Sequence, residues 1–301
     1  MVFLLAIAFA GFIAQLVDGS LGMGYGVTST TLLLSVGLAP ALASASVHLA
    51  EIGTTAVSGA SHWRLGNVDG RVLLTLGIPG GIGAFTGAVV LANLSLDAAR
   101  PMVSVVLLAL GAVIIARFLH GRRMATRGSE ALPKVGSHGP WALVPLGLVG
   151  GFLDASGGGG WGPVTTSSLM AAARMRPRTI IGTVSGSEFI VSVAASAGFP
   201  LTLGSAGIDL GIVAMLLLGG VIAAPVAAWL VRRFDDQALG TGVGGLIIFL
   251  NLDRGLSLIG VDPTVALGIR ISVVAISVVL VGWLLVRSRR RADPASGSAA
   301  A

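Results

Sequence analysis

The chain has 301 residues, of which 54% are hydrophobic and only 11% charged, and its mean hydropathy is +0.93. Soluble domains carry about 25% charged residues, so a water-soluble globular domain is excluded and a polytopic membrane protein is expected. The net charge of +6 does not mark a nucleic-acid binder, because the arginines fall in short runs between apolar segments, and the absence of cysteine rules out disulfides and thiolate metal sites.

The first apolar run, residues 2–17, has no basic residue ahead of it and so lacks the charged leader of a signal peptide. It meets a second short run, 27–38, across Asp18-Gly19-Ser20-Leu21-Gly22-Met23-Gly24-Tyr25-Gly26. Segments 42–60, 71–92 and 102–119 then have roughly the 20 apolar residues that a spanning helix needs. After a polar, basic stretch come two further short runs, 141–153 and 163–173, divided by Asp154-Ala155-Ser156-Gly157-Gly158-Gly159-Gly160-Trp161-Gly162. Segments 179–198, 208–231, 237–256 and 264–286 are again of spanning length, and a basic, Ala/Ser-rich tail ends the chain.

The second half repeats the first. Asp18 falls over Asp154, Ser20 over Ser156 and Tyr25 over Trp161; after a slip of one residue Pro40 falls over Pro177, His48 over Ser185, Glu51 over Glu188 and Thr55 over Ser192. Further on, Gly80-Gly81 falls over Gly219-Gly220. The expected fold is all-α: a polytopic membrane protein of two inverted repeats, each a Gly-broken short-helix pair plus three transmembrane helices, and one extra C-terminal transmembrane helix. The expected boundaries are 1–119 for the first repeat, 120–140 for a cytoplasmic linker and 141–260 for the second repeat. An extra helix over 261–286 and a disordered basic cytoplasmic tail over 287–301 complete the chain.

Arginine positions set the orientation. If every long segment crosses once and each short pair returns to its own side, 16 of the 19 basic residues share the side of the linker, as the positive-inside rule requires. Only Arg100, Arg254 and Arg270 fall opposite. Reading a short pair as one crossing would instead strand Arg174, Arg176 and Arg178 outside. This topology puts the N-terminus outside and the C-terminus in the cytoplasm of a multi-pass protein of the cell membrane. Three crossings separate the pairs, and three is odd, so the repeats are inverted.

A duplicated, Gly-broken pair of short apolar segments is a sequence pointer to a transporter's substrate site. Helices can start at Val27 and at Pro163, where free N–H groups and a partial positive charge attract anions. Substrate binding is therefore expected at Gly22, Gly24, Tyr25, Gly26, Thr28 and Ser29, and at Gly158, Gly160, Trp161, Gly162, Thr165 and Thr166. Glu51 and Glu188 lie mid-segment, in the stripes Ser44, His48, Glu51, Thr55 and Ser185, Glu188, Ser192, Ser196; ionisable groups at membrane depth mark pathways and proton relays. Burial penalises a carboxylate's charged form, so these two acids are candidates for proton coupling or gating. His48 is a candidate relay, with a satisfied interior histidine as the plainer alternative. Asp18 and Asp154 either brace the breaks or take part in proton or Na⁺ binding. Tyr25 and Trp161 line the pocket or only pack. No His/Asp/Glu spacing suggests a metal site, and no cofactor is expected.

These motifs resemble the TauE/SafE family of membrane permeases, the sulfite exporter group. The resemblance rests on the doubled glycine loop, the Pro40 and Pro177 boundaries, Ser61-His62-Trp63-Arg64-Leu65-Gly66-Asn67-Val68-Asp69, and Pro79-Gly80-Gly81-Ile82-Gly83-Ala84, and it extends over residues 5–286. It implies movement of small sulfur-containing anions such as sulfite or sulfonates, with proton coupling. Met23 and Tyr25 depart from a plainer G-x-G-G-G form. The partners expected are a small anion and the lipid bilayer, no nucleic acid, and a homodimer is compatible with the sequence. Two rivals stand beside a carrier. One is an anion channel, and the other an intramembrane serine hydrolase with Ser156 as nucleophile and His48 as base.

Overall fold

The computed structural model describes residues 2–21, 23–120, 142–172, 175, 177–203, 208–230 and 236–292. Gly22, Trp141, Arg174, Arg176, Arg232 and Arg233, most of the expected linker and the last residues of the tail lie outside the described residues. Everything described is helical or in short turns, with no strand among the described residues. The helices are α1 (Val2–Leu21), α2 (Tyr25–Ser35), α3 (Pro40–Arg64), α4 (Gly70–Asn93), α5 (Leu96–His120) and α6 (Leu143–Gly157). A π-helical turn, Gly162–Thr166, runs into α7 (Ser167–Ala172), followed by α8 (Pro177–Gly198), α9 (Pro200–Leu203), α10 (Leu210–Leu230), α11 (Asp236–Leu258) and α12 (Pro263–Ala292).

Local chemistry sets the ends. Proline stands in the first turn of α3, where its missing N–H costs nothing. The Asp69 side chain caps α4 by accepting from the Arg71 and Val72 N–H groups. Among the described residues, four helices are long and apolar enough to cross a bilayer: Gly70–Asn93, Leu96–Leu119, Thr179–Gly198 and Pro263–Arg287. The 42–60, 208–231 and 237–256 segments form α3, α10 and α11 but fall outside this set, α10 contributing only a shorter apolar stretch over Leu210–Ala223; α3 is the clearest case. Its Ser, Thr, His48 and Glu51 side chains lower its hydropathy, and Ser44, Ser46, His48 and Glu51 are buried within the bundle. α12 is mostly exposed, as a lipid-facing helix is.

The packing follows the duplication. α4 lies along α6 just as its counterpart α10 lies along α1, while α5 pairs with α11 and α3 with α8. In α5 and α11, Phe118 faces Gly240, Ile115 faces Gly244 and Leu108 faces Gly255. In α3 and α8, Ser58 bonds Ser185 and His62 faces Gly182. Both pairs therefore run antiparallel. Two equivalent helices can meet antiparallel only when the axis relating them crosses them, which is the geometry of an inverted repeat.

Gly147 faces Leu76 and Gly151 faces Gly80, so α4 and α6 run parallel. Because α3 and α4 cross in opposite senses about the 65–69 turn, α6 and α8 point the same way. The π turn and α7 must then carry the chain back between them. The expected returning pair is thus a helical hairpin, and small residues let it pack closely. A Cβ on Gly151 would lie 1.9 Å from the Gly80 carbonyl oxygen, and one on Gly219 2.0 Å from that of Ala8.

Candidate functional site

The glycine-rich segments are shorter as breaks than their composition suggests. Asp18 remains in α1, and α2 starts at Tyr25 rather than Val27, because left-handed Gly24 (φ 107°) turns the chain directly into it. In the second half Asp154 to Gly157 close α6, Gly158 (φ 74°) and Gly159 (φ 134°) make the turn, and helix resumes at Trp161. Tyr25 and Trp161 are therefore first helical residues, not loop residues. Pro163 sits in the first turn of the π segment, and such wide turns recur at functional sites.

The two breaks touch. A Cβ on Gly159 would lie 2.1 Å from the backbone carbon of Gly26 and from the nitrogen of Val27; one on Gly26 would lie 2.7 Å from the Gly159 Cα and 2.8 Å from Glu51 Oε1. Only glycine allows this backbone contact. Thr30 donates its hydroxyl across the junction to the Gly158 carbonyl, and Ser44 donates to that of Ala155 at 2.7 Å.

Asp154 is the hub of the second break. Its Oδ1 accepts the backbone N–H groups of Gly160 at 2.6 Å and Trp161 at 2.9 Å. Its Oδ2 lies 3.1 Å from His48 Nε2. On the other side of the ring, His48 Nδ1 donates to the Ser44 carbonyl at 2.7 Å. With Nδ1 committed as a donor, the His48–Asp154 contact needs a proton between them, carried by either partner. Phe199 packs against the ring at 6.1 Å between centroids. Glu51 completes the cluster, since one ligand atom each from His48, Glu51 and Asp154 lies within 4.8 Å of the others. Sequence spacing gave no sign of this cation-type donor set, because Asp154 comes from the other half of the chain.

The remaining candidates surround this junction. Glu188 is half-buried, and Ser192 on the same helix lies 3.5 Å from Glu51 Oε2. Asp18 is half-buried, close to the Tyr25 backbone N–H. Glu51 is within electrostatic reach of Asp154, Glu188 and Asp18, so the four acids share one neighbourhood. The Tyr25, Thr28, Ser29 and Thr166 hydroxyls are buried without a hydrogen-bond partner. Thr165 is different: its hydroxyl is committed to the Trp161 carbonyl. Trp161 is fully buried against Gly80 and Gly150 and donates from Nε1 to the Val184 carbonyl at 3.2 Å, the packing alternative. The hydrolase arrangement is not assembled, because Ser156 donates to the Phe152 carbonyl at 2.5 Å and His48 faces Asp154 instead.

The family profile for "Sulfite exporter TauE/SafE" matches residues 7–253. The chain belongs to this family. A curated relative, "Probable membrane transporter protein YtnM" of Bacillus subtilis (strain 168), is 51% identical over 251 residues, covering 82% of this chain and 81% of that protein. No solved structure matches. This TauE/SafE protein is a multi-pass membrane transporter, not an enzyme.

One basic residue reaches the first break. Arg117, near the end of the 102–119 segment, belongs to α5, half-buried, with Nη1 2.6 Å from Met23 Sδ. A cation therefore stands beside the first break. The helix ends at His120, one residue past the 102–119 segment.

Proposed function

We propose that this transporter carries a small sulfur-containing anion, sulfite or an organosulfonate, across the cytoplasmic membrane, coupled to protons. The anion sits near the midplane between the two half-helix starts at Tyr25 and Trp161. The observation that carries the reading is the meeting of the breaks at Gly26 and Gly159 above Glu51, with unspent hydroxyls at Tyr25, Thr28, Ser29 and Thr166 in the adjoining turns. A buried donor without a partner is costly, and an oxyanion supplies acceptors for several at once. Helix starts add a partial positive charge that suits an anion.

The acids explain the coupling. An anion entering beside Asp18, Glu51, Asp154 and Glu188 is repelled while they are ionised, so binding favours their protonated forms. Glu51 and Glu188 are the carriers in this reading, His48 with Asp154 the relay, and Asp18 the counterpart at the first break. The domain boundaries expected above, with the N-terminus outside and the C-terminus in the cytoplasm, belong to the same proposal. A second reading replaces the proton with a cation such as Na⁺ and is favoured by the His48, Glu51 and Asp154 donor set.

The test is counterflow of labelled sulfite in proteoliposomes under anaerobic conditions, with and without an inward proton gradient. Saturable, gradient-dependent accumulation is expected, and Glu51→Gln with Glu188→Gln should abolish the gradient dependence. Gradient dependence that survives both substitutions removes these acids from the coupling role. Dependence on Na⁺ in its place selects the second reading. Flux that does not saturate supports a channel, and counterflow with a sulfonate but not sulfite moves the substrate within the class. Silence with both anions overturns the anion reading.

A further inference from the structure

At the end of α2 away from the breaks lies a cavity of about 90 Å³ lined by Leu34, Gly37, Leu38, Arg100 and Arg254. Its volume exceeds the roughly 10–15 Å³ that one water requires. Arg254 donates from Nη2 to the Leu34 carbonyl at 3.3 Å. The helix end does not depend on that bond. The N–H groups of Val36, Gly37 and Leu38 already return to the carbonyls of Leu32, Leu34 and Leu33, with Gly37 left-handed at φ 97°. Most of the guanidinium's five donors are therefore unspent.

Neither arginine has a carboxylate partner among the described residues. Asp253, next to Arg254 in the chain, lies 3.6 Å from Arg270 instead. Two like charges facing one cavity repel each other unless an anion comes between them. The position is also unusual for basic residues: of the three on the side that the arginine pattern assigns to the exterior, two line this cavity. Bilayer orientation disfavours them there, and a helix-end cap needs at most one.

We propose that Arg100 and Arg254 form an outer anion-capture vestibule, holding a tetrahedral or pyramidal oxyanion before it reaches the breaks. Guanidinium suits this task because its fork of donors matches such oxygens. α2 joins the two places: its 11 residues span about 16 Å at 1.5 Å per residue. Along it, Thr31 accepts from Asn251 Nδ2 at 3.2 Å, and the unpartnered Thr28 lies one turn deeper. A positive mouth concentrates anions locally. The vestibule's purpose rests on the anion-transport reading, but its anion preference is measurable without transport.

The chain has no cysteine, so Leu38→Cys introduces a single reporter thiol at the cavity. Its labelling rates by an anionic and a cationic methanethiosulfonate are compared in phosphatidylcholine vesicles, with inorganic sulfate as the probe. Replacing both arginines by Gln should lower the anionic-to-cationic rate ratio by about tenfold, the scale of electrostatic focusing at a charged cleft. Arg→Lys at both positions should keep most of the ratio. Sulfate should slow labelling of the Arg protein and not of the Gln variant. An unchanged ratio in the Gln variant overturns the vestibule, as does a thiol that neither reagent reaches. If phosphatidylglycerol vesicles without sulfate give the same slowing, the site holds a lipid headgroup and the capture role fails. None of these outcomes depends on sulfite being carried.

Discussion

The two glycine breaks occupy matching places in the duplicated chain, yet they are held very differently. The break at 158–160 is fastened from several directions. Asp154 grips two N–H groups of its own break, while Thr30, Ser44 and His48 reach it from the first half. At the break before Tyr25, Asp18 is half-buried, and the Tyr25, Thr28 and Ser29 hydroxyls have no partner. One position illustrates the difference. His48 reaches Asp154, but its counterpart Ser185 bonds Ser58 at 2.8 Å. The second break is thus the more firmly held, and the first has more unpartnered hydroxyls beside it.

The largest expected difference comes from adding a single methyl to each break. Gly159→Ala should prevent the two breaks from meeting, since the new Cβ would lie 2.1 Å from the Val27 nitrogen. A clash with backbone cannot be relieved by a rotamer change, so a loss of more than about 4 kcal/mol is expected. Gly24→Ala meets nothing closer than Val17 Cγ1 at 3.6 Å and should cost only the left-handed backbone, about 1–2 kcal/mol. Melting midpoints of the two purified variants check this, and equal losses would erase the contrast between the breaks.

The paired acids give the next largest effect. Asp154→Asn weakens charge-assisted bonds to Gly160 and Trp161 and the contact with His48, and should cost about 2–3 kcal/mol. Asp18→Asn should cost less than about 1 kcal/mol by the same reasoning. The measurement is unfolding of each variant in matched detergent. Similar costs would mean that Asp18 is as firmly engaged as Asp154.

His48→Ser gives the first half the residue that the second half carries. It leaves Asp154 Oδ2 without its partner, and a loss of about 1–3 kcal/mol is expected. Ser185→His should not restore it, because α8 presents that position to Ser58. A restored melting midpoint in the double variant would show that the halves are interchangeable there.

The smallest effect on stability, and the most informative for transport, separates the two aromatics. Trp161→Phe removes the bond to Val184 and should cost about 1 kcal/mol beyond packing. Tyr25→Phe removes a hydroxyl that has no partner, so the fold should be unchanged or slightly more stable. If that hydroxyl serves the anion, counterflow should fall while the melting midpoint holds. A Tyr25→Phe variant with full counterflow would take Tyr25 out of the binding set.

Much of this was legible in the chain itself. Apolar run lengths are dictated by bilayer thickness, so four of the seven spanning segments and the short pairs could be read directly. The shared register of Asp18 with Asp154 and Glu51 with Glu188 marked the duplication, and arginine positions required the returning pairs. Periodicity also placed Ser44, His48, Glu51 and Thr55 on one face of α3, and all four are buried.

What only the tertiary structure decided is which half each of these residues serves. An alignment pairs equivalent residues, whereas an inverted fold interlocks non-equivalent ones. His48 of the first half therefore meets Asp154 of the second rather than the nearer Asp18. The same holds for Thr30 on Gly158, for the contact of Gly26 with Gly159, and for Arg254 closing over the end of α2. Spacing along a chain sets what one helix can present. Contacts between helices depend on how antiparallel copies cross and on which side chains are small enough to let backbones touch, and neither is encoded at a fixed distance in the sequence.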